Sequence, residues 1–131
     1  MGKLSSVWVE LDDHLGALGV RADQRQAIAR SLGDALADAF RLYFNTQALH
    51  WNVEGPTFYS LHKLTEEQYE ALNASVDTLA ERIRALGIPA PQSLRSLDDR
   101  SVVGDLPASA DLKERIETLV RDYEVAGVRL K

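Results

Sequence analysis

A chain of 131 residues with 45% apolar side chains is long enough to bury one ordinary core and is read as a single domain over 1–131. Fifteen Lys and Arg against 20 Asp and Glu give a net charge of −5, which speaks against a general polyanion binder, since phosphate neutralisation needs clustered cations. The sequence has no cysteine, which excludes disulfides and thiolate metal sites; no run of about 18 apolar residues suits a membrane span, and the cytoplasm is the expected compartment.

In chain order, Leu4, Val7, Leu11, Leu15 and Leu18 give residues 1–19 the look of a short helix or an ordered arm ended by Gly19. A long helix is expected from about Asp23, a plausible N-cap, to about Trp51, with a core stripe that includes Ile28, Leu32, Leu36, Ala39, Phe40, Tyr43 and Leu49. Asn52 to Pro56 breaks it: Gly55 takes backbone angles other residues avoid, and Pro56 cannot continue a helix. Thr57 is the expected N-cap of a second long helix running to about Leu86 on a stripe of Leu61, Leu64, Tyr69, Leu72, Val76, Leu79, Ile83 and Leu86. Gly87, with Pro89 two residues on, marks its stop. Residues 88–108 read as a crossover with one short helix near Ser93 to Asp98. A third long helix is expected from near Ser109, with Asp111 in its first turn and Leu112, Ile116, Leu119, Val120, Tyr123 and Leu130 inward. No strand-like alternation of any length occurs, so the fold class is all-α.

Five side chains carry the chemistry: His50, His62, Glu66, Asp77 and Glu81. Imidazole and carboxylate suit borderline divalent metals such as iron. His62 and Glu66 lie four apart and share a helix face, as do Asp77 and Glu81. The fifteen residues from His62 to Asp77 leave the two pairs offset by only about 60° around the helix but about 22 Å apart along it. Metal–ligand bonds are about 2 Å, so one straight helix cannot bring both pairs to one ion. Either each pair binds separately, or a second copy runs antiparallel across a two-fold axis near residues 71–72 and offers Asp77 and Glu81 to His62 and Glu66 of the first. His50, at the end of the preceding helix, can join such a site. His14 with Asp12 and Asp13 could form a minor extra site, although a solvated polar turn is the ordinary reading of those residues.

The run His50-Trp51-Asn52-Val53-x-Gly55-Pro56-x-Phe58-x-x-Leu61-His62, followed by Glu66, Tyr69 and Asp77-x-x-Ala80-Glu81-Arg82-Ile83, resembles the Dps family of miniferritins, the DNA-binding proteins from starved cells. The likeness covers roughly residues 20–130. It implies a ferritin-like four-helix bundle assembled as a hollow dodecamer that oxidises Fe(II) with hydrogen peroxide, or O2, and stores Fe(III) mineral. It also implies an inter-subunit ferroxidase site with His50, His62 and Glu66 from one subunit and Asp77 and Glu81 from the other. The family often has Asp where Glu66 stands, and both are hard oxygen ligands. Trp51 matches a family tryptophan thought to intercept oxidising equivalents; packing at a helix end is the plain alternative.

Two departures bear on function. The first twenty residues offer Lys3 in place of a Lys/Arg-rich tail, so a DNA-binding, nucleoid-protecting shell with a weak metal site is the alternative reading and DNA a partner the tail does not support. The last helix of the bundle is expected to be absent from the given chain, leaving an apolar groove.

Overall fold

The computed structural model describes residues 21–129. The expected arm over 1–19, the cluster of Asp12, Asp13 and His14, and Leu130 lie outside the described residues. Four helices and no strand are found among those described: α1 (Ala22–Asn52), α2 (Phe58–Ala85), α3 (Leu94–Arg100) and α4 (Leu112–Arg129). The all-α class is as expected.

α1 is the central element, and α2, α3 and α4 each lie against it. Its N-cap falls two residues before the expected one. Arg21 holds the N-cap position, and its N–H donates to Gln24 Oε1 at 3.2 Å, while Asp23 sits in the first turn where a negative charge complements the helix dipole. Asp23 is therefore not the cap. α1 ends at Asn52, Val53 is extended, and Gly55 adopts φ +94° before Pro56, so the chain reverses in five residues. Thr57 precedes α2 as expected, but its hydroxyl makes no capping bond. α2 runs back along α1 to a Schellman ending: Gly87, at φ +80°, donates to Arg84 O at 2.9 Å and Ile88 N–H reaches Ile83 O at 3.4 Å. Ser93 caps α3 by accepting Ser96 N–H at 3.1 Å. α4 begins at Leu112, three residues later than Ser109, because Asp111 accepts the Glu114 N–H at 2.9 Å and fixes the start there.

Two apolar clusters hold α1 and α2 together. At one end Ala29, Leu36, Ala37, Ile83 and Leu97 are buried; at the other Leu42, Leu49, Val53, Val103, Leu119 and Ala126. Three stripe members expected inside face out: Ile28, Leu64 and Val120, each about half exposed. The buried line on α1 is narrower than the apolar period suggests: Ala29 and Ala37 are buried while Ile28 is not. Leu42, Leu72, Leu79, Tyr123 and Ala126 line a groove of about 590 Å3 between α1, α2 and α4.

A polar stripe on α1 holds the crossover. Asp38, Arg41 and Asn45 recur at three- and four-residue spacing on one face. Asp38 Oδ1 accepts Ser101 Oγ–H and Val102 N–H, both at 2.9 Å; Arg41 Nε donates to Val103 O at 3.1 Å, and Asn45 Nδ2 to Gly104 O at 2.8 Å. Arg100 lies across Gly33, donating to Asp34 Oδ1 at 3.1 Å and Arg30 O at 2.7 Å; a Cβ at position 33 would collide with its guanidinium. Arg129, in the last turn of α4, donates to Arg100 O and to both Asp38 oxygens and pairs with Asp34, so one network joins α1, α3 and α4.

Candidate metal centre

The reversal at 53–57 lays the last turn of α1 against the first turns of α2, which places His50 beside His62. The two imidazoles stack with centroids 3.7 Å apart and planes 18° from parallel. Their hydrogen bonds are reciprocal. His50 Nδ1 lies 2.8 Å from His62 O, and His62 Nδ1 lies 3.1 Å from His50 O. A carbonyl only accepts, so each Nδ1 carries the proton and each Nε2 keeps its lone pair in the neutral ring. This is the outer arrangement that orients metal-ligating histidines.

Thr65, buried one turn along, completes the support for His50. Its hydroxyl donates to Leu61 O at 2.6 Å, and its oxygen lies 3.2 Å from His50 Nδ1. Thr65→Val keeps the shape and removes both bonds, so His50 should lose one of its two restraints. Divalent-metal affinity of the assembled protein should fall by about tenfold, the lower end for an outer-shell change. Calorimetric titration with a divalent ion reads the effect; unchanged affinity rejects the role.

Glu66 lies one turn beyond His62, and its only partner among the described residues is Lys63, at 3.5 Å. Both side chains are exposed, so this pair is worth at most about 1 kcal/mol and readily yields the carboxylate to a metal. Asp77 and Glu81 are exposed further along α2, and neither forms a hydrogen bond or ion pair among the described residues. The helix is continuous from Phe58 to Ala85, so on their own chain Asp77 stands about 22 Å and Glu81 about 28 Å along the axis from His62. Accordingly, no group of three His, Asp or Glu side chains capable of holding a metal forms among the described residues of a single chain. The structure brings His50 and His62 together with Glu66 one turn away, and keeps Asp77 and Glu81 apart from them.

Trp51 is 61% exposed, and its ring meets Phe44 edge-on at 6.4 Å. On α4, burial raises the Asp122 carboxyl above its ordinary range, while the guanidinium groups of Arg121 and Arg41 pull the other way; burial likewise raises the Tyr123 phenol, opposed by its hydrogen bond to Thr46.

A ferritin-like domain model matches residues 29–131. The DNA protection during starvation protein 2 of Bacillus anthracis is 30% identical over 76% of this chain and 68% of its own length. The chain belongs to the Dps family. A low temperature-induced protein of Nostoc is 37% identical over 82% of the chain, and the chain spans 60% of that relative's length. The crystal structure of the Dps protein from Vibrio cholerae, described as one of the ferritin-like diiron-carboxylate proteins, superposes with a TM-score of 0.75 at 30% identity, covering 82% of this chain and 67% of its own. The bundle geometry of α1, α2 and α4 is thus that of a Dps subunit, as the central motif implies.

Residue-type reasoning overlooked Thr65 as a support for His50. Its one signal was position: a Thr three residues after His62 and four after Leu61 can bond back to either carbonyl within its own helix.

Proposed function

We propose that the protein oxidises Fe(II) with hydrogen peroxide, or O2, at a site shared by two copies of the chain and stores ferric mineral inside a hollow homo-oligomer, with a dodecamer as its form. The observation that carries this is the reciprocal Nδ1 bonding of the stacked His50 and His62 rings, which leaves an Nε2 lone pair on each, with Glu66 one turn beyond His62 on α2. The donor set is the nitrogen and oxygen chemistry that borderline divalent iron accepts.

His50 and His62 bind and orient the substrate iron, and Glu66 adds one negative charge from the same chain. Asp77 and Glu81 come from a second copy whose α2 lies antiparallel across a two-fold axis, giving two equivalent sites per dimer. Three carboxylates favour the ferric product because they offset its higher charge. Peroxide takes one electron from each of two Fe(II) ions, its O–O bond breaks, and both oxygens leave as water with two protons drawn from solvent. The two reactants of hydroxyl-radical chemistry are thereby consumed together, in the cytoplasm by this reading.

The test adds Fe(II) and peroxide to the assembled protein and follows ferric absorbance. Oxidation should run well above the buffer rate, and His50→Ala with His62→Ala should return it to that rate. No acceleration by the unsubstituted protein would reject the reading.

A further inference from the structure

We infer that Tyr69, and not Trp51, is the redox-active side chain of this iron site, with Tyr43 as the next hop. The inference rests on the iron-oxidising reading above and concerns the case in which peroxide meets a site holding a single Fe(II).

A continuous run of ring contacts leaves the histidine pair in one direction. Tyr69 meets the His50 ring edge-on, with centroids 5.1 Å apart and planes at 73°. Tyr43 meets Tyr69 edge-on at 6.2 Å and 71°, and Phe40 follows at 6.1 Å. These rings lie on the facing sides of α1 and α2, and both phenols are only partly exposed. Trp51 is adjacent to His50 in sequence, but its ring contact is with Phe44, and no ring contact joins it to either histidine among the described residues. The other two tyrosines are placed differently. Tyr59 is 71% exposed, and Tyr123 bonds to Thr46 at the groove.

Peroxide accepts two electrons, and one Fe(II) supplies one. Without a second donor, breaking the O–O bond releases a hydroxyl radical. Tyr69 can supply the missing electron through the His50 ring and its phenolic proton to water. The balance is Fe(II) + Tyr–OH + H2O2 + H+ → Fe(III) + Tyr–O• + 2 H2O. The O–O bond breaks, both oxygens leave as water, and the unpaired electron stays on the phenoxyl ring. Contact with Tyr43 lets it pass to a second phenol further from the metal.

The test loads the assembled, full-chain protein with one Fe(II) per site, mixes it with peroxide and freezes it for electron paramagnetic resonance. A tyrosyl radical is expected, with a spectrum that narrows when the protein is grown on ring-deuterated tyrosine. In Tyr69→Phe, which keeps the ring packing, the signal should fall to background and spin-trapped hydroxyl radical should rise; in Trp51→Phe the signal should persist. A signal that survives Tyr69→Phe, or disappears in Trp51→Phe instead, overturns the inference. So does ferric product without any tyrosyl radical in the unsubstituted protein. Failure to form ferric product at all would strike the underlying reading, and a separate two-iron assay by absorbance tells these failures apart.

Discussion

Mixing two inactive variants should restore iron oxidation. Chains carrying His50→Ala and His62→Ala keep their acids, and chains carrying Asp77→Asn and Glu81→Gln keep their histidines. Each variant alone has no intact site and should oxidise Fe(II) at the buffer rate. In a mixed dimer the two-fold axis sorts the lesions: one site inherits both defects, and the other combines unaltered histidines with unaltered acids. Random co-assembly makes half of the dimers mixed, so about one quarter of all sites, and of the activity, should return. The variants are co-refolded so that chains exchange, and ferric absorbance is read before and after mixing. The α2 geometry motivates this result, because a continuous helix separates His62 from Asp77 by about 22 Å. If both pairs acted within their own chains, mixing would restore nothing. Activity that stays at the buffer rate after verified exchange therefore removes the shared site.

The elements of the fold were legible because they rest on local rules, whereas His50 was placed only as a side chain able to join the site. Gly55-Pro56 and Gly87 punctuate the helices by backbone sterics alone, and the structure ends α1 and α2 within a residue or two of the positions those residues indicate. The His62–Glu66 and Asp77–Glu81 spacings fix faces on α2 by helical period without knowledge of tertiary contacts. What escaped is of another kind. Asp38, Arg41 and Asn45 look like a solvated face in a helical wheel, yet Asp38 and Asn45 are buried because a stretch sixty residues away needs its backbone groups satisfied. Ile28, Leu64 and Val120 fit the apolar period but not the contact line, which only the packing of α1 against its neighbours decides. Thr65 reads as an indifferent helical residue until the second imidazole is known to lie against it.

That α1 polar stripe carries the largest stability effect expected of a single substitution. Asp38→Ala removes a 3%-exposed carboxylate that serves the Ser101 hydroxyl, the Val102 N–H and the Arg129 guanidinium at once. The part-buried Val102 N–H would lose its acceptor, and Arg129 would keep only Asp34 and Arg100 O as partners. Removing one partner of a buried charge network costs about 3–5 kcal/mol, and because the Arg129 side chain is 27% exposed the lower end applies, about 3 kcal/mol. At roughly 4 °C per kcal/mol for a chain of this size, Tm should fall by about 12 °C at fixed protein concentration. Asp38→Asn retains an oxygen for Val102 N–H and Ser101 and loses the charge facing Arg129, so its loss should be clearly smaller. The ordering separates the two contributions: equal losses would place the whole effect in the ion pair, whereas an Asp38→Ala change within about 0.5 kcal/mol, the ordinary range for a surface site, would mean the network does not hold the crossover. Because Asp38 also lines the groove between α1, α2 and α4, the same substitution should loosen α4 while the imidazole pair, at the far end of α1, keeps its geometry.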